Sequence, residues 1–137
     1  MSATRVHLVV AGLVGALGVV ATAYGAHRDG FNGVFVGFML VSHAPAIAAA
    51  SLARKMGQLA PRLAQGAVAA LALGPVLFAF GVTFRRALPE GAGVIAPIGG
   101  SLSVLGWLLF ALAAALGARR SPDERVPRSV EARPPSV

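Results

Sequence analysis

Gly33–Leu52 reads GVFVGFMLVSHAPAIAAASL, twenty consecutive residues without a single Asp, Glu, Lys or Arg. A helix of about 20 mostly apolar residues is what the hydrocarbon core of a bilayer requires. The stretch is too long for a buried strand, and too apolar on every side for a surface helix of a water-soluble domain. It therefore predicts a membrane-spanning helix, and the rest of the chain repeats the pattern. Val6–Ala26, Leu63–Phe84 and Val94–Gly117 are likewise long, apolar and free of Asp, Glu, Lys and Arg. Short segments separate the four: residues 27–32 with Arg28 and Asp29, 53–62 with Arg54, Lys55 and Arg62, and 85–93 with Arg85, Arg86 and Glu90. Loops this short make sequential helices antiparallel neighbours. The expected fold is all-α, a polytopic four-helix antiparallel bundle over residues 1–118, followed by a disordered cytoplasmic tail over 119–137 whose prolines and mixed charges show no apolar periodicity.

The composition agrees. Of 137 residues, 56% are hydrophobic and 12% charged, with a mean hydropathy of +0.75, a balance foreign to soluble domains, which need a charged shell. The net charge of +7 does not mark a nucleic-acid binder, because the arginines stand at span ends and in the tail, where insertion and anionic headgroups favour them. No nucleic-acid partner is expected; the lipid bilayer is. The absence of cysteine removes disulfides and thiolate chemistry.

Basic residues near span ends are retained in the cytoplasm. The N-terminus, the middle loop and the tail together hold nine Lys and Arg, against three on the other side, so both termini are expected inside. Arg5, the first apolar run and Ala21-Thr22-Ala23 have the outline of a secretory signal, but the apolar stretch exceeds a signal core and its removal would contradict the charge count.

Ionisable groups within spans usually mark ion or proton paths, and the lack of intramembrane carboxylates argues against a proton-coupled antiporter. His43, near the midplane of the second span with Ser42 beside it, has two readings. It could serve as a relay, a ligand contact or a pH-responsive gate; or it is a neutral imidazole bonded to a carbonyl of a neighbouring helix, holding the bundle together. The second is preferred because a relay needs another polar station. Pro45 and Pro75 fall mid-span in adjacent helices and remove the normal partners of the Val41 and Leu71 carbonyls. With both kinks at one depth, Ser42, His43, Pro45 and Pro75 would frame a midplane pocket of the kind found in transporters; otherwise they only shape the bundle. His27, beside Tyr24, suits an interfacial anchor. Two distant histidines make no metal site, and no phosphate loop or hydrolase elbow is present, so no metal, cofactor or enzymatic activity is expected. Small residues at packing spacing, Ala11 with Gly15, Gly18 with Thr22 and Ala26, and Gly99 with Ser103, let helices approach closely, within the chain or in a homo-oligomer. Trp107 lies too deep for a headgroup belt and is expected between helices.

Several of these residues also form an ordered set. Ala23-Tyr24-Gly25-Ala26-His27 closes the first span, His43-Ala44 stands in the second, Leu77-Phe78 in the third, and Pro97-Ile98-Gly99-Gly100 with Gly106-Trp107 in the fourth. In this the chain resembles the YgdD-like small bacterial inner-membrane proteins, domain of unknown function family 423, across all four spans but not the tail. It departs from the family pattern at Leu40, at Pro45 and at Ala79-Phe80-Gly81, and in a shorter interval between His27 and His43. The resemblance implies a four-helix protein of the bacterial inner membrane and carries no biochemical activity with it. The reading that follows is a small accessory or structural bundle, working alone, as a homo-oligomer or with a membrane-protein partner; the alternative is a small-solute channel or transporter around His43.

Overall fold

The computed structural model describes residues 2–29, 31–87, 89 and 92–117. Every long element among them is a helix: α1 (Ala3–Tyr24), α2 (Phe31–Lys55), α3 (Pro61–Thr83) and α4 (Ile95–Ala115). A π-helical turn, Gly25–Asp29, prolongs α1 toward α2, and a 3-10 turn, Ala92–Val94, leads into α4. Each helix is long and apolar enough to cross a membrane; the shortest, α4, measures about 32 Å at 1.5 Å per residue, against a hydrocarbon core of about 30 Å. The tail from residue 119 and Glu90 lie outside the described residues.

Helix ends follow local chemistry. After Lys55 the chain closes α2 with a Schellman turn. Gly57 adopts φ 74°, Gln58 N–H donates to the Ala53 carbonyl at 3.0 Å, and Gly57 N–H to that of Arg54 at 3.1 Å. A left-handed residue is required there, and glycine takes that conformation without penalty. Pro61 then opens α3 at its first turn, where its missing N–H costs nothing. Ala60 N–H donates to the Ala113 carbonyl at 2.9 Å, tying this loop to the end of α4 above a small cluster of Leu59, Ala64 and Ala113.

The bundle consists of two antiparallel hairpins, α1–α2 and α3–α4, joined face to face through α2 and α3. Small residues line the seam of each hairpin. Between α1 and α2, Gly15 meets Ala44, Gly18 meets Val41 and Gly37, and Gly25 meets Gly33 and Val34. Between α3 and α4, Gly81 meets Ala96, Gly74 meets Ser103, and Gly106 meets Leu71. At Gly18 an added methyl would lie 2.6 Å from Val41 Cγ2 and 2.7 Å from its backbone nitrogen, so the two backbones touch because there is no side chain between them. Such contact lets dispersion forces hold helices together where lipid supplies no hydrophobic drive. Of the small residues expected to pack, Ala11, Gly18, Gly99 and Ser103 are buried and Gly15 and Thr22 half-buried, but Ala26 is exposed. The π turn rotates the chain at that point, and Gly25 occupies the seam instead.

The core runs through α1, α2 and α3, from Ala11 and Val14 through Val36, Leu40 and Ile47 to Val68 and Leu71. The flanking helices present large apolar side chains outward, among them Leu13, Leu17, Val19 and Val20 on α1 and Val104, Leu108 and Leu112 on α4. A continuous surface of this kind would drive association in water and is ordinary against lipid chains.

Candidate functional site

His43 stands midway along α2 and is 4% exposed. Its ring is held on both sides. Nδ1 lies 2.8 Å from the Met39 carbonyl oxygen one turn back, and the Trp107 indole N–H of α4 donates to Nε2 at 3.2 Å. The carbonyl can only accept and the indole can only donate, which assigns the neutral tautomer with the proton on Nδ1. The two rings meet edge-on, centroids 5.8 Å apart at 66°. Ser42 Oγ donates to the same Met39 carbonyl at 3.0 Å and lies 3.3 Å from Nδ1. One carbonyl thus anchors two side chains, and one indole ties α2 to α4 across the bundle.

The expected carbonyl partner on a neighbouring helix is therefore corrected. Met39 belongs to the histidine's own helix, because the i−4 carbonyl is within reach of a helical side chain, and the bond between helices runs to Trp107. The tryptophan sits between helices only in part: its N–H end reaches His43, while 43% of the residue remains exposed.

The four residues expected around a midplane pocket do not gather around one space. Pro75 is fully buried in α3, whereas Pro45 is exposed on the outer face of α2. Nor do the prolines share a depth. Phe35 of α2 packs against Phe78 of α3 with ring centroids 5.7 Å apart. Counting inward from that contact, Pro75 is three residues along and Pro45 ten, which at 1.5 Å per residue separates them by about 10 Å along the bundle. The short loop makes the helices neighbours, but Pro45 stands ten residues before the end of α2 and Pro75 fourteen after the start of α3, so the loop does not bring them level.

The residues that carry the family resemblance divide by role. Gly25, Gly99 and Gly106 are buried at helix contacts, Gly99 against Phe78, and Gly100 is half-buried at the edge of the same ring. His27 and Pro97 are exposed. Trp107 alone among them joins His43.

One polar contact escaped the sequence reading. His7 Nδ1 lies 3.0 Å from Ser51 Oγ, linking the first turns of α1 to the last of α2 at the end opposite the π turn, and Ser51 is 2% exposed. In the antiparallel register fixed by the Gly15–Ala44 and Gly18–Val41 contacts, residue 7 falls opposite residue 52, next to Ser51; only that register, which the sequence alone does not supply, singles out the pair. Among the described residues no buried side-chain nitrogen or oxygen lacks a partner, and no three His, Asp or Glu residues cluster as metal ligands.

An indole N–H donates and cannot accept, so a proton arriving at Nε2 has no onward station at Trp107. Searches against family models, curated proteins and solved structures find no match to this chain.

Proposed function

We propose that this chain is a small integral protein of the bacterial inner membrane, both termini cytoplasmic, that serves as an accessory or structural helix bundle and not as an enzyme. It works through association, with further copies of itself or with a larger membrane protein. The observation that carries this reading is the pairing of the buried polar side chains among the described residues: His43 is bonded on both nitrogens. Ser51 and Ser103, the other buried polar side chains among the described residues, are bonded to His7 and to the Gly99 carbonyl. A solute path needs polar side chains free to exchange partners, whereas buried side chains that are already bonded favour one packing. The resemblance to the YgdD-like proteins supports the same location, and the nine-to-three distribution of basic residues supports the orientation.

The alternative, a channel or transporter for small solutes, would require His43 to part from Trp107 during each passage. Liposomes containing the purified chain separate the two readings. Solute leak compared between the wild type and His43→Leu from pH 5 to 8 should show both proteins equally tight. A wild-type flux that the substitution abolishes would overturn the structural reading.

A further inference from the structure

At the end of the bundle opposite the Schellman turn, α2 and α3 part around a cavity of about 480 Å³. Its wall is graded. Arg85 and Arg86, just beyond the end of α3, stand with Thr83 and Asn32 at the mouth, while Val82 and the buried Val36 form the deeper part. Val36 lies about one helical turn, roughly 5 Å, below Asn32. Neither guanidinium is bonded to a described side chain, and the two loops at this end carry three arginines against Asp29 and Glu90 in the sequence. The volume lies within the roughly 300–1,000 Å³ of small-molecule sites.

We propose that this cavity binds a phosphate group, with the two guanidiniums as its cationic clamp and the Asn32 amide and Thr83 hydroxyl as further hydrogen-bonding groups. Guanidinium forks match phosphate oxygens in geometry as well as charge. The grading from cationic mouth to valine floor follows the membrane normal and has the polarity of an anionic phospholipid, headgroup outward and the start of its chains inward; a free phosphate ion would use the mouth alone. Two arginines that merely anchored a helix end would need no cavity beneath them and would attract any anionic surface as well as Arg54 and Lys55 do at the other end.

The test uses the purified full chain in neutral detergent, with bound lipid measured by native mass spectrometry and protection by thermal unfolding. The probes are phosphatidylglycerol, diacylglycerol with the same chains, and inorganic phosphate. One phosphatidylglycerol per chain is expected, with diacylglycerol bound at least tenfold more weakly. Arg85→Gln/Arg86→Gln should weaken the phosphatidylglycerol complex by on the order of tenfold or more, Arg54→Gln/Lys55→Gln should not, and Arg85→Lys/Arg86→Lys should fall between. Displacement by millimolar inorganic phosphate supports the site with a free anion as its occupant; retention of the lipid supports it with the phospholipid. Equal binding of the two lipids with no protection by phosphate, or equal losses from the two double glutamine variants, would overturn the proposal.

Discussion

Replacing Trp107 by phenylalanine isolates the bond that joins α2 to α4. The ring edge facing His43 is retained, but the N–H that reaches Nε2 at 3.2 Å is lost. His43 is 4% exposed, so water cannot take the indole's place, and an imidazole nitrogen is left unpaired. An unsatisfied buried acceptor costs about 1–3 kcal/mol, while hydrogen bonds between membrane helices average about 0.6 kcal/mol and reach about 1.7. The expected loss for Trp107→Phe is therefore about 1–2 kcal/mol, a shift of roughly 5- to 30-fold in the unfolding equilibrium. His43→Leu removes the other partner and should cost a similar amount. The double variant should cost about 1 kcal/mol less than the sum, since removing both partners of a hydrogen bond leaves neither unpaired. Reversible unfolding in mixed micelles, followed by helical circular dichroism, measures all three. A Trp107→Phe protein within about 0.3 kcal/mol of wild type, or a cycle that adds without coupling, would refute the assignment of this contact as a structural bond; no bond worth measuring falls below the roughly 0.3–0.5 kcal/mol over which independent sites already add.

Two further outcomes are expected. Gly18→Ala should destabilise by about 1–3 kcal/mol, as overpacking does, because its methyl meets the Val41 backbone at 2.7 Å. Gly12→Ala, with nothing within 4 Å of the new methyl, should be neutral or gain up to about 1 kcal/mol of helix propensity; equal effects in the same unfolding assay would refute the account of the seam. Because the chain has no cysteine, single cysteines at Gln58 and Ala87 can be labelled with a membrane-impermeant maleimide in right-side-out and inverted vesicles. Gln58→Cys should react only from the cytoplasmic face and Ala87→Cys only from the other, and the opposite pattern would reverse the orientation.

The four helices were legible because their signal is local. Charge-free runs of about twenty residues announce themselves one at a time, and their ends came within three residues of Ala3, Lys55, Pro61 and Ala115. At the first loop the π turn carries helical structure on to Asp29, a local backbone choice that hydropathy does not encode. The candidate site was half legible. His43 stood out as a polar side chain at mid-span, but its partner lies 64 residues away, and pairing them needs the angular setting of α4 against α2. That setting comes from the glycine contacts along two seams, which depend on both partners at once. The outward turn of Pro45 was hidden for the same reason; part of the depth offset could be counted, since Pro45 is ten residues from the end of α2 and Pro75 fourteen from the start of α3. His7 was overlooked because a histidine near a span end reads as an interface residue until its antiparallel partner is known.

Trp107 is the only tryptophan in the chain, and only one tyrosine, Tyr24, accompanies it. Ultraviolet emission from the folded protein therefore arises almost wholly from the indole that is bonded to His43. The bond between α2 and α4 thus carries its own optical label. Separation of α2 from α4 alters the surroundings of that one chromophore, so the spectrum reports the state of a single bond without a dye, a tag or a substitution.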